Sequence, residues 1–233
     1  MNFSIILSGG VGSRMGSDIP KQYIKVAGQP VINCCIETFL NCSFIDHIII
    51  VAANEWRAFI RNSIDNLRQD MPVSFASPGE TRQYSIYNGM LEAKKHGADK
   101  DDVVIIHDAA RPLVSSDLIN ACLEGCKEAD GVLPVVPVKD TLYQSKDGKS
   151  ITSLLNRNEL FAGQAPEAFR FGKYLELHEQ MPREELLKIN GSTEIAYKGG
   201  LKIKLIKGDV MNFKITTPED LTNFETIINQ RNR

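Results

Sequence analysis

No stretch of this sequence approaches the roughly 20 apolar residues that span a bilayer. The opening Met1-Asn2-Phe3-Ser4-Ile5-Ile6-Leu7-Ser8-Gly9-Gly10 has no basic n-region, and its apolar run is too short for a secretory signal. A basic excess is also missing. Lys and Arg number 27 against 29 Asp and Glu, for a formal net charge of −2, which argues against nucleic acid or an anionic membrane as partner. Cysteines are few and odd in number, five in all, and no paired Cys/His set completes a metal ligand shell. Cys122 and Cys126, four apart in a helical pattern, read as a buried face with Ile119, the alternative being half of a metal site. These absences predict a cytoplasmic, reduced protein with no nucleic-acid or membrane partner.

What is present is an ordinary globular composition, 42% hydrophobic and 24% charged over 233 residues. That length suits one α/β domain spanning 1–233. Short apolar runs at 3–7, 47–52, 103–106 and 132–138, with a weaker one at 73–75, read as buried strands. Between them, 31–41, 55–69, 82–96 and 116–128 carry apolar residues at helical spacing. Such alternation predicts a mainly parallel twisted sheet with helices on both faces. Ligands of these sheets bind beyond the carboxyl ends of the strands, so the residues just past each strand carry most of the information. The rhythm breaks at about 139–157. There Asp147-Gly148 joins two β-prone stretches, a hairpin signal. An inserted hairpin has little core of its own, so this arm is expected to pack on something else, a second subunit being one candidate.

The first strand runs into Ser8-Gly9-Gly10-Val11-Gly12-Ser13-Arg14-Met15-Gly16 and then Pro20-Lys21-Gln22. Glycines let backbone N–H groups approach a phosphate chain, and Arg14 and Lys21 can neutralise its charge, one as a planar fork and one as a point charge. The Gly-Lys-Ser/Thr ending of a nucleotide-hydrolase loop is absent. So is the dinucleotide spacing, and Ala52-Ala53-Asn54 offers no ribose-binding acid.

Three further segments follow strands or open helices. Pro78-Gly79-Glu80-Thr81-Arg82-Gln83-Tyr84-Ser85 allows close backbone approach at Gly79. It places Arg82 and Ser85 at i, i+3 to read a nucleobase edge, with helix capping by Thr81 as the bland alternative. His107-Asp108-Ala109-Ala110-Arg111-Pro112 puts an acid directly after a buried strand, where Asp108 can hold a divalent metal on phosphate oxygens or simply pair with Arg111. His107 reads as packed or hydrogen-bonded rather than as a base. Asn212-Phe213-Lys214-Ile215-Thr216-Thr217-Pro218-Glu219-Asp220 marks a helix start, with Lys214 placed to reach a phosphate or to lie in solvent.

Taken in order, Gly9-Gly10-x-Gly12-x-Arg14-Met15-Gly16…Pro20-Lys21-Gln22, His107-Asp108-Ala109-Ala110-Arg111-Pro112, Val138-Lys139-Asp140-Thr141 and Asn212-x-Lys214-Ile215-Thr216-Thr217-Pro218-Glu219-Asp220 resemble the 2-C-methylerythritol 4-phosphate cytidylyltransferases. Their relatives, the ribitol 5-phosphate cytidylyltransferases, share the likeness, which is collinear over nearly the whole chain. The resemblance implies a Rossmann-like nucleotidyltransferase fold, Mg²⁺ or another divalent cation, and a homodimer whose hairpin arms embrace. It implies transfer of CMP from CTP to a polyol phosphate with release of pyrophosphate. CTP is then expected at Ser8, Gly9, Gly10, Gly12, Arg14 and Lys21 on the phosphate side and at Gly79, Glu80, Arg82 and Ser85 on the cytosine side. Asp108, Arg111, Thr141, Arg157 and Lys214 would take the acceptor, with Asp108 by the metal and Thr141 and Arg157 crossing from the partner's arm. Arg14, Lys21, Arg157 and Lys214 would be the catalytic cations.

The chain departs from the family at two places. Ala165-Pro166-Glu167 stands where Thr-Pro-Gln is usual, and Asn190-Gly191 where Thr-Asp is usual. Both changes fall on the polyol side, and the CTP side is intact. A monoester phosphate is already mostly dianionic at neutral pH, its second pKa being near ~6, so it needs no general base. Two other classes compete. A nicotinamide-dependent reductase is disfavoured by the missing acid after the second strand. A non-catalytic nucleotide-binding module is the reading that the polyol-side changes would favour.

Overall fold

The computed structural model describes residues 1–10, 19–65, 67 and 70–231. Its strands, in chain order, are β1 (Asn2–Leu7), β2 (Lys25–Val26), β3 (Gln29–Pro30), β4 (His47–Val51), β5 (Val73–Ala76), β6 (Val103–Asp108), β7 (Gly131–Pro137), β8 (Tyr143–Gln144), β9 (Ser153–Leu154), β10 (Phe161–Gly163), β11 (Glu167–Arg170) and β12 (Ile203–Lys207). The helices are α1 (Val31–Leu40), α2 (Asn54–Ile64), α3 (Arg82–Lys95), α4 (Ser116–Gly125), α5 (Phe171–Gln180), α6 (Arg183–Leu186), α7 (Ser192–Lys198) and α8 (Pro218–Arg231).

Eight strands form one sheet, in which β5, β4, β1, β6, β11 and β7 lie side by side and β7 also pairs β10 and β12. The pairings β1–β4, β1–β6, β4–β5 and β7–β12 are parallel, whereas β11 runs against both β6 and β7, and β10 against β7. The expected α/β sheet is therefore present, mainly parallel, with a reversed segment inserted between β6 and β7.

Side chains alternate across a strand with period two, so a strand covered on both faces is apolar throughout. In β6, Val103 and Ile105 enter a core beneath α1, α2 and α4, while Val104 and Ile106 enter the core beneath α3, α5 and α7. Cys122 and Cys126 are buried beside Ile119 in the first of these cores, as expected of a packing face. A smaller cluster of Val26, Val31, Leu113, Ile215 and Phe224 seats α8. Among the described residues, no helix is long and apolar enough to cross a membrane.

The arm is a hairpin of β8 and β9. Its tip is built locally. The Asp147 carboxylate accepts from the Lys149 and Ser150 N–H groups and from the Ser145 and Ser150 hydroxyls, while Gly148 takes φ of +70°. Tyr143, Ile151 and Leu154 on the arm are exposed, so it has no core beneath it.

Candidate active site

The same alternation that fills both cores sets the site. Continuing along β6, His107 points to the α1 face, where its ring lies 5.3 Å from that of Phe39. Asp108, one residue on, points to the α3 face. There its carboxylate meets three cations. Lys214 Nζ donates to Oδ2 at 2.8 Å, Arg82 Nη2 to Oδ1 at 3.1 Å, and Arg111 Nε lies 3.9 Å from Oδ2. Burial alone would push the Asp108 carboxyl up. Arg82, Lys214 and Arg111 outweigh it and hold the group well below the usual carboxylate range.

A second carboxylate stands behind Arg82. Glu167 begins β11 and pairs with Ile106, which places it on the same face as Asp108. It is buried, accepts from the Thr193 hydroxyl at 2.6 Å, and lies 3.7 Å from Arg82 Nη2. Burial pushes its carboxyl up, with Arg82 and Thr193 opposing. Arg82 also donates to the Ser192 hydroxyl at the start of α7. The charges at this corner are thus three cations and two carboxylates, leaving one cation in excess.

Backbone anchors fix the cations. Arg111 Nη1 donates to the Asn212 carbonyl at 2.7 Å, Asn212 Nδ2 donates to the Ala165 carbonyl at 2.7 Å, and the Ile215 N–H donates to the Ala110 carbonyl at 2.8 Å. Lys214 is consequently held between two buried neighbours, Asn212 and Ile215. Thr217 Oγ1 accepts from the Asp220 N–H at 3.3 Å, capping α8 as the Thr-Thr-Pro-Glu-Asp run predicts, and the Asp220 carboxylate accepts back from the Thr216 and Thr217 N–H groups.

His107 is not placed to act as a base. Its Nε2 donates to the Arg111 carbonyl at 3.0 Å, its Nδ1 is buried without a partner among the described residues, and burial lowers its pKa to about 4.

Beside β6 in the sheet, Leu7 of β1 is the register partner of Asp108, so the Ser8-Gly9-Gly10 segment leaves β1 next to the acid. Gln22 Nε2 donates to the carbonyls of Ser8 (2.7 Å) and Gly10 (2.8 Å), which fixes the Lys21–Tyr23 turn against this loop. Lys21 and Lys214 therefore belong to segments that meet the tips of two adjacent strands. Gly12 and Arg14 lie outside the described residues. A Cβ on Gly9 would stand 2.6 Å from the Pro78 side chain, so absence of a side chain there lets the loops after β1 and β5 touch.

In the second of those loops the Ser85 hydroxyl accepts from the Gly79 N–H at 3.0 Å, and Glu80 pairs with Arg183 at 2.7 Å. Arg82 parts company with Ser85. Its guanidinium turns to Asp108 and Ser192.

Thr141 and Arg157 lie exposed on the arm, and Arg157 Nη1 donates to the Lys139 carbonyl at 3.1 Å. Among the described residues, neither bonds Asp108, Arg111 or Lys214. Glu167, Ser192 and Thr193 went unread as site residues in sequence. An acid inside the apolar run from Ala165 to Phe169 was the available signal for the first. The other two carry no sequence signal. At the second departure, Gln83 Nε2 donates to the Gly191 carbonyl at 2.9 Å. Glu194, three residues on, accepts from the Asn190 N–H at 3.0 Å and caps α7.

A mainly parallel sheet with a glycine loop after β1, cations over the carboxylate that ends β6, and an exposed arm defines the nucleotidyltransferase class. The chain belongs to the 2-C-methyl-D-erythritol 4-phosphate cytidylyltransferase (IspD) family, whose model matches residues 3–230. It is 34% identical over 230 residues to the enzyme of that name from Geobacter metallireducens, covering 98% of each chain. It is 31% identical over 232 residues to the ribitol-5-phosphate cytidylyltransferase of Streptococcus agalactiae serotype Ia, covering 99% of this chain and 97% of that one. Among solved structures, the 2-C-methyl-D-erythritol 4-phosphate cytidylyltransferase of Francisella tularensis superposes with TM-score 0.79 at 27% identity, over 96% of this chain and 99% of that one. The 4-diphosphocytidyl-2C-methyl-D-erythritol synthase of Anaerococcus prevotii, at 22% identity, shares the fold with TM-score 0.82, over 98% of this chain and 96% of that one.

Proposed function

We propose that this protein transfers CMP from CTP to the phosphate of a polyol phosphate, 2-C-methyl-D-erythritol 4-phosphate or ribitol 5-phosphate. The products are a CDP-polyol and pyrophosphate. The carrying observation is the convergence of Lys214, Arg82 and Arg111 on Asp108, at the strand tip adjoining the Ser8–Gly10 loop.

The reaction is an in-line attack by an acceptor phosphate oxygen on the α-phosphorus of CTP; the new P–O bond forms as the bond to pyrophosphate breaks. The dianionic nucleophile carries its own electron pair, which agrees with a neutral His107 whose Nε2–H is already donated. The difficulty is bringing two polyanions together. One like-charge pair at 4 Å costs about 4 kcal/mol at an effective dielectric of 20. Lys21 and Arg14 oppose that repulsion on the donor side, and Lys214 and Arg157 on the acceptor side. Asp108 is the residue that would hold a divalent cation; its oxygens already accept from Lys214 and Arg82, so the cation would enter together with phosphate oxygens, whose charge offsets the excess of cations there. When bound it would supply further charge neutralisation on phosphate oxygens.

The exposed apolar residues of the arm, together with an Arg157 that bonds the Lys139 carbonyl rather than Asp108 among the described residues, support a homodimer in which Thr141 and Arg157 serve the partner's site. Pyrophosphate release from CTP, measured against a panel of polyol phosphates, tests the reading. Turnover with one of the two named acceptors is expected. No release with any acceptor, under conditions where the protein is folded and a divalent cation is supplied, would overturn it.

A further inference from the structure

One cluster at the donor edge is accounted for by none of the groups above. The chain has a single tryptophan, Trp56, in the first turn of α2. Its ring stacks on Tyr23 with centroids 4.3 Å apart and planes 21° from parallel, and Phe59 meets both rings edge-on at 5.9 and 5.7 Å. Tyr23 is buried, and its hydroxyl accepts from the Ser8 hydroxyl at 2.7 Å and donates to the Ser8 carbonyl at 3.0 Å. Adjacent in sequence, Arg57 reaches the other way. Its Nε donates to the Ala52 carbonyl at 3.2 Å, just past β4, and its Nη2 donates to the Ser77 hydroxyl at 2.9 Å, just past β5. Asn88 Nδ2 holds the Ser77 carbonyl at 2.9 Å from α3. Ser77 leads directly into Pro78 and Gly79, the loop that Gly9 touches.

We propose that Trp56 and Arg57 are positioning residues for nucleotide binding. Trp56 seats Tyr23 and through it the Ser8–Gly10 loop and the Lys21 turn. Arg57 ties the tips of β4 and β5 so that the Pro78–Gly79 loop stands at a fixed height against Gly9. The inference rests on the reading that CTP occupies this edge. An aromatic plate is needed because the Tyr23 hydroxyl must be aimed, and stacked rings lose little freedom when ordered. The planar fork of an arginine is needed because two acceptors on different strands must be met at once.

The test measures CTP binding by calorimetry and steady-state constants for both substrates in Trp56→Ala, Trp56→Phe, Arg57→Ala, Arg57→Lys and Tyr23→Phe. Loosening this supporting layer, which does not itself touch the nucleotide, should weaken CTP about three- to tenfold. KM for the polyol phosphate should stay within about twofold of wild type. Trp56→Phe should restore binding because it retains a plate, whereas Arg57→Lys should not, because an ammonium cannot fork. Emission from the sole tryptophan should change when CTP is added to wild type and not when polyol phosphate is added alone, and Tyr23→Phe should reduce that change. A wild type that binds no CTP overturns the functional reading itself. A wild type that binds CTP, with Trp56→Ala, Arg57→Lys and Tyr23→Phe folded and all of equal affinity to it, overturns the positioning role alone.

Discussion

Replacing Lys214 with alanine separates the chemistry of the acceptor corner from its stability. Lys214 Nζ lies 2.8 Å from Asp108 Oδ2, and its side chain is 37% exposed. Solvent screening at that exposure limits the pair's contribution to folding to about 1 kcal/mol or less. Asp108 also retains Arg82 at 3.1 Å and Arg111 nearby, so the carboxylate is not left bare. Catalysis should respond differently. A charge-assisted hydrogen bond to the incoming phosphate contributes about 1.5–3 kcal/mol. At 1.36 kcal/mol per decade, that is roughly a 10- to 150-fold loss in kcat/KM for the polyol phosphate. The assay is continuous pyrophosphate release with CTP saturating, repeated with the acceptor saturating, beside a thermal melt. Expected is a large fall in kcat/KM for the acceptor, a KM for CTP within about threefold of wild type, and a nearly unchanged Tm. An acceptor kcat/KM within about threefold of wild type, or an equal penalty on CTP, would refute the placement of the phosphate at Lys214.

Two further outcomes are expected. Arg157→Ala should raise KM for the polyol phosphate more than that for CTP. Mixing it with the Lys214→Ala protein, whose Arg157 is intact, should recover part of the activity if sites are shared across subunits, and no recovery in the mixture argues that they are not. Stability should also depend on pH through His107. The folded state keeps that ring neutral down to about 4, whereas an unfolded histidine takes up its proton near ~6.5. The unfolded chain therefore binds more protons between those values. The stabilisation is complete above about 6.5 and is lost as the pH falls towards 4, an effect on the order of 3 kcal/mol. Urea titrations of wild type and His107→Gln from pH 7 to 4.5 should converge by about that amount as the pH falls, and parallel curves would exclude the effect.

From β1 to α4 the longer elements could be read, although β2 and β3 were not expected and the helical spacing at 55–69 outruns α2, which ends at Ile64. The apolar runs at 47–52 and 103–106 are buried on both faces as β4 and the core of β6, and the helical spacing at 31–41 and 82–96 matches α1 and α3. Tertiary burial and local pattern agree there, and such agreement makes a sequence legible. Beyond residue 160 they part. β10 and β11 are three and four residues long, too short for a period to declare itself. The Ile-Lys-Leu-Ile-Lys of β12 mixes lysines into a strand whose one sheet partner is β7, and nothing in its pattern announced a sheet. The corner around Asp108 was legible only in part. Asp108 and Lys214, which the structure brings within 2.8 Å of each other, stood out because each borders a recognisable strand end or helix start. The expectation that Arg82 reads a base rests on an i, i+3 spacing to Ser85, which fixes a face of α3 but not the direction of a long side chain, here turned to Asp108. Glu167 drew notice only as a family departure, since its partners Arg82 and Thr193 are 85 and 26 residues away.

The direction of β11 has a consequence for how the enzyme can change. A strand that descends where its neighbours climb brings its first residue, and the turn before it, to the rim where theirs end. Gln164, Ala165, Pro166 and Glu167 thus border the acceptor corner without any of them terminating a parallel strand or opening a phosphate loop. Substitutions in that turn are expected to act on the surroundings of Asp108 and Glu167, while the Ser8–Gly10 loop keeps its own supports from Gln22 and Tyr23.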